Sequence, residues 1–117
     1  MNSRNFTRVR YTAGASILFG NEMVFCNTDN LSLCGMCLKT GQEIPLNIPV
    51  QVTVYNSNMT SFKVTAKVVW SEENEVGVKI DNLEVNSFVQ LFNIVTDISQ
   101  DQGIVMQETF KMLKYIN

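Results

Sequence analysis

The sequence predicts a mainly β fold: a six-stranded antiparallel barrel followed by C-terminal helices. Three observations lead there. Apolar and polar residues alternate at a period of two in short runs across residues 13–81. Polar or glycine-containing turns separate those runs. After Ile80 the period changes to a helical one, with Phe88, Leu91, Phe92 and Val95 at i, i+3, i+4 and i+7. At 117 residues, 45% apolar and 17% charged, the chain fits one soluble domain with a buried core.

In order, residues 1–12 form a polar arm, and residues 2–8 offer Phe6 as their one large apolar side chain. That is too little to hold an arm against its conformational entropy, so it is expected to be flexible. The barrel follows over residues 13–81. Ala13–Phe19 and Met23–Cys26 flank Gly20-Asn21, a pair suited to a tight hairpin. Asn27, Thr28, Asp29 and Asn30 form a turn-prone cluster leading into a strand over Ser32–Leu38. Lys39–Pro49, with Gly41 and Pro45, reads as a loop. Val50, Val52 and Val54 then alternate with Gln51, Thr53 and Tyr55. After a polar turn over Asn56–Ser61, Phe62, Val64, Ala66, Val68 and Trp70 share one face and are expected in the core. A second turn, Ser71–Asn74, returns the chain through Val76, Val78 and Ile80, with Gly77 and Lys79 facing away. Closure would leave no exposed strand edges.

Residues 84–117 are the helical segment. Asn86 or Ser87 is the expected N-cap of the first helix. A second helix is expected from about Gly103 to Ile116, with Met106, Phe110 and Leu113 on one face and Val105, Met112 and Ile116 on another. Two apolar faces leave room for a second copy of the chain. No internal repeat or linker divides the sequence.

Composition excludes several functions. With no histidine the usual general base is missing, and Glu72, Glu73 and Glu75 read as a solvated turn, so no catalytic residues are expected. The formal net charge of −2 argues against DNA or RNA as partner. No apolar run approaches the roughly 18 residues of a spanning helix. The N-terminus lacks the apolar stretch of a signal peptide, and a cytoplasmic location is expected. Cys26, Cys34 and Cys37 are odd in number; Cys34-x-x-Cys37 lacks a second ligand pair, and strand positions three apart face opposite ways. They read as small buried or half-buried thiols, with no metal and no cofactor.

Two stretches carry chemistry. The arginines all lie near the N-terminus, at Arg4, Arg8 and Arg10, and a guanidinium fork matches phosphate and the O6/N7 edge of guanine. Asn30-x-Ser32-x-x-Gly35 places an amide, a hydroxyl and a residue without Cβ within a short span. Taken alone, the first is a basic tail and the second a loop entering a strand.

Together they resemble the PilZ domains, receptors for the bacterial second messenger cyclic di-GMP. Arg4-Asn5-Phe6-Thr7-Arg8 matches the family's RxxxR, and Asn30-Leu31-Ser32-Leu33-Cys34-Gly35 matches its [D/N]xSxxG. The runs Ala66–Trp70 and Val76–Ile80 are similar to the family's late hairpin, so the resemblance spans residues 4 to about 92. It implies that Arg4 and Arg8 contact phosphate and guanine, and that Asn30 and Ser32 hydrogen-bond the ligand. It also implies that Gly35 lets the backbone pass close beneath it. Where family members commonly carry a further arginine this chain has Ser3, and Arg10 is an additional candidate. The expected function is a receptor or adaptor whose arm closes over the ligand and whose reshaped surface signals to a partner protein. The alternative is a PilZ-like interaction module without ligand, acting in pilus or flagellar assembly.

Overall fold

The structure, a computed structural model, describes residues 6–56 and 59–117. Its strands are β1 (Val9–Arg10), β2 (Gly14–Phe19), β3 (Glu22–Leu31), β4 (Gly35–Lys39), β5 (Pro49–Tyr55), β6 (Ser61–Glu72) and β7 (Glu75–Asn82). Two helices follow, α1 (Val85–Ser99) and α2 (Gln102–Met112), then a 3-10 turn over Leu113–Tyr115. Strands β2 to β7 close an antiparallel ring, because β3 pairs with β2 on one side and β4 on the other while β4 also pairs with β7. The two-residue β1 is an extra strand laid on β3, with Val9 opposite Leu31 and Arg10 opposite Asn30.

The two-residue period does what it predicts across the barrel. Ile17, Val52, Val54, Val64, Val68, Val76 and Ile80 point inward and are fully buried. Phe19 pairs with Glu22 across Gly20-Asn21, and Gly20 takes the left-handed conformation that such a turn requires. Helix α1 buries Phe88, Leu91 and Val95 and packs against β6 and β1. Its start differs from expectation: Glu84 is the N-cap and makes no side-chain cap bond. The Ser87 hydroxyl instead accepts from the Lys63 N–H at 3.3 Å, tying the helix to β6.

Two local expectations are overturned by pairing. The Asn27–Asn30 cluster is not a turn but the second half of β3. There the Thr28 N–H donates to Ala13 O, and its hydroxyl accepts from the Ala13 N–H and donates to Tyr11 O, so the polar groups serve the ladder. The actual bend lies at Ser32–Cys34, and β4 starts only at Gly35. Trp70 is not in the core. The β6–β7 register shifts between Val68, opposite Val78, and Trp70, opposite Gly77. The extra residue, Val69, flips the alternation, so Trp70 leaves the barrel face that Val68 occupies.

The segment expected as a flexible arm is packed against the barrel from Phe6 onward. Val9 is buried in the core, Phe6 and Tyr11 pack on it, and the Tyr11 N–H donates to Asp29 O at 3.1 Å. Contacts from distant elements supply what the arm's own side chains lack. The second helix ends at Met112, and the 3-10 turn carries the chain back to β7. There the Leu83 N–H donates to Tyr115 O at 3.0 Å and the Asn117 N–H donates to Leu83 O at 2.9 Å.

Candidate functional site

The outer face of β4, β7 and β6 carries a cleft of about 570 Å3. Its floor follows from the sequence of those strands. Gly35 and Gly77 both border it, and neither position accommodates a side chain. A Cβ at Gly35 would stand 2.4 Å from the Val78 carbonyl oxygen, and one at Gly77 would stand 2.2 Å from Trp70 Nε1. Gly35 is thus required first by the close approach of β4 to β7. Trp70, turned outward by the bulge, gives the cleft an indole wall.

The charged side chains that line this surface are all cationic. Arg8, Lys79, Lys111 and Lys114 line the cleft, and among the described residues no carboxylate does, in a chain whose net charge is −2. A concave surface of one sign, floored by backbone and walled by an aromatic ring, suits a flat anionic ligand.

The two stretches singled out in the sequence meet at the edge of this cleft. Arg8 Nη1 donates to Asn30 Oδ1 at 3.0 Å, linking residues 22 positions apart. The Asn30 amide in turn donates to Asp29 Oδ2 at 3.1 Å, which orients it. Arg8 and Gly35 line the cleft, while Ser32 is buried. The Ser32 hydroxyl accepts from the Cys34 N–H at 3.2 Å and lies 3.3 Å from Gly35 O, so it shapes the bend that presents Gly35. Arg10 turns to Asp29 at 3.6 Å instead of the cleft, and Lys39 approaches the same carboxylate at 3.7 Å. Arg4 lies outside the described residues.

Cys34 and Cys37 both line the cleft, because Cys34 sits in the bend and not in the strand that was expected to turn it away. Burial pushes the Cys37 thiol up to about 11, helped by Glu75 and Asp29 against Arg8 and Lys39. The sulfur and the carboxylates of Asp29 and Glu75 lie within 4.8 Å of one another. Within this group Asp29 already meets Arg10 and Lys39.

Sequence reasoning missed Trp70, Gly77, Lys79, Lys111, Lys114 and Tyr115 as cleft residues. A bulky ring opposite a glycine was the available signal for the first two. The C-terminal lysines carry no local signal, since only tertiary packing brings them to the barrel.

The sequence model of the PilZ domain family matches residues 2–97. Among curated proteins none matches the chain. Several solved structures share its fold. The PilZ domain of CeSA from a cellulose-synthesizing bacterium superposes with a TM-score of 0.64 at 14% identity, over 77% of this chain and 95% of that one. The PilZ domain of YcgR from Escherichia coli, solved with c-di-GMP, gives 0.67 at 16% identity over 82% and 91%. The inhibitor of motility MotI/DgrA from Bacillus subtilis gives 0.69 at 12% identity over 83% of this chain, which spans 51% of that one.

Proposed function

The chain belongs to the PilZ domain family, and on that premise we propose that it is a receptor for cyclic di-GMP that acts on a partner protein. The observation that carries this reading is the 3.0 Å bond from Arg8 to Asn30, which joins the arginine arm to the barrel at the edge of a cationic cleft. The nucleotide would lie over β4 and β7 beside Gly35, with a guanine against the Trp70 ring, and its phosphates would face Arg8 and Lys79. Base-on-ring stacking of this kind contributes about 1–3 kcal/mol. Asn30 holds the guanidinium and offers its amide to the guanine edge, and Ser32 acts from within the bend. Arg4, and with less reach Arg10, would complete the anion clamp.

No step of this function requires turnover. The site binds a ligand and changes the surface around the arm, which is what an adaptor needs. A cytoplasmic setting, where the messenger is made, is part of the proposal. Among the described residues no helix is long and apolar enough to cross a membrane.

Calorimetric titration tests the reading. Cyclic di-GMP should bind and GMP should not compete at similar concentration. Arg8→Ala and Arg4→Ala should each cost about 2 kcal/mol, as expected for charge-assisted hydrogen bonds to phosphate. Unchanged affinity in both variants would remove the site assignment. Absence of binding by the unaltered chain would leave the interaction module.

A further inference from the structure

Residues 98–117 lie beyond the family match, yet Lys111, Met112, Lys114 and Tyr115 form one wall of the cleft. This wall is anchored at both ends. Val105 and Met112 are buried in the core, and Ile116 forms a parallel bridge with Leu83 at the end of β7. The two ammonium groups are seated on rings: Lys111 Nζ lies 5.4 Å from the Phe6 ring centre, and Lys114 Nζ lies 5.3 Å from that of Tyr115. Cation–π contacts of this length restrict a lysine without neutralising it.

The same helix grips the arm. Glu108 is 5% exposed, and both its carboxylate oxygens accept from the Thr7 N–H, each at 2.9 Å. The Thr7 hydroxyl also donates to Oε2 at 2.7 Å. A buried carboxylate is costly unless its lone pairs are used, and here they are used by the residue beside Arg8. Fixing Thr7 fixes the direction in which the Arg8 side chain leaves the backbone.

We propose that residues 108–115 form a second half of the ligand site: Lys111 and Lys114 bind phosphate oxygens of the nucleotide, and Glu108 is a positioning residue that holds Arg8 at the cleft through Thr7. The proposal rests on the reading of the site as one for cyclic di-GMP. Two lysines and two more cations, Arg8 and Lys79, then surround a ligand that carries two negative charges. Glu108 does not line the cleft, so its own charge is spent on the arm.

Calorimetry on the full chain with cyclic di-GMP, at low and high salt, is the test. The Lys111→Ala/Lys114→Ala double variant should bind about tenfold more weakly or worse, and with less dependence on salt. Lys63→Ala, on β6 outside the cleft, should bind as the unaltered chain does. Glu108→Ala should also weaken binding about tenfold, with faster amide hydrogen exchange at residues 7–10 and unchanged exchange in β5 and β6. Glu108→Gln keeps one carbonyl acceptor and should fall between. If Glu108→Ala loosens the whole barrel, Thr7→Ala replaces it, since that change removes only the hydroxyl contact. Wild-type affinity in the lysine and glutamate variants, alongside weakened binding by Arg8→Ala, would overturn this proposal and leave the receptor reading intact. No binding by the unaltered chain would overturn both.

Discussion

The indole of Trp70 occupies the space where a side chain at Gly77 would be. The two residues pair across β6 and β7, and a Cβ at Gly77 would stand 2.2 Å from Nε1 and 2.4 Å from Cε2 of the ring. The glycine seats the tryptophan, and the tryptophan covers a backbone that would otherwise face the cleft bare.

Gly77→Ala should therefore destabilise the protein by about 1–3 kcal/mol, because the ring must move. In a Trp70→Ala background the same substitution should cost far less, since the two sites share one contact. Denaturant melts of the four chains measure the coupling. Additive effects would mean that the ring yields freely.

Trp70 is the only tryptophan in the chain, so its fluorescence reports on the cleft. Cyclic di-GMP should quench or shift that emission with the same midpoint that calorimetry gives, and Gly77→Ala should alter the signal of the free protein. An emission indifferent to saturating ligand would place the base away from the indole.

Gly35→Ala meets a less yielding neighbour. The clashing atom is the Val78 carbonyl oxygen at 2.4 Å, part of the backbone that pairs β4 with β7. Opening that ladder should cost about 2–3 kcal/mol, and any loss of ligand binding should track the loss of stability. Normal stability with lost binding would show instead that the glycine serves the ligand alone.

Arg10→Ala should change stability by less than about 0.5 kcal/mol. Its side chain is 84% exposed and meets Asp29 at 3.6 Å, the setting in which a surface ion pair contributes little. A larger loss, read from urea melts at low and high salt, would mean that Asp29 depends on it.

The thiols give a pH dependence with a definite sign. Burial raises Cys26 and Cys37 from 9.0 to about 11, so folding favours their protonated forms. Their contribution to stability is fully present below pH 9 and is lost as pH climbs through about 11. Alkylation followed by mass spectrometry should find both unreactive near neutral pH. Labelling of Cys37 at pH 7 would contradict the burial and the Glu75 and Asp29 charges that raise it.

Strand existence was legible because it depends on a local period. Val50 to Tyr55 and Phe62 to Val68 alternate as half-buried strands must, and Phe88 to Val95 repeats as a helix must. Strand extent was less legible. The polar Asn27–Asn30 cluster has the composition of a turn, and only its bonds to Tyr11 and Ala13 show why it stays in β3. Trp70 continued the alternation on paper, but the register shift at Val69 depends on how β7 docks, which no local pattern records.

By itself the sequence determined a six-strand order, its hairpins, the first helix and the two short stretches that meet at Arg8 and Asn30. The strands and the helix follow from side-chain size and polarity at short separations, whereas the two stretches stand out only through their resemblance to the PilZ motifs. Only the tertiary structure decided which way Trp70 faces, why Gly35 must lack a side chain, and that Glu108 grips Thr7 across 101 residues of chain. Such relationships are set by closing the ring of strands and folding both ends of the chain onto it, and residues far apart in sequence leave no trace of contact in their spacing.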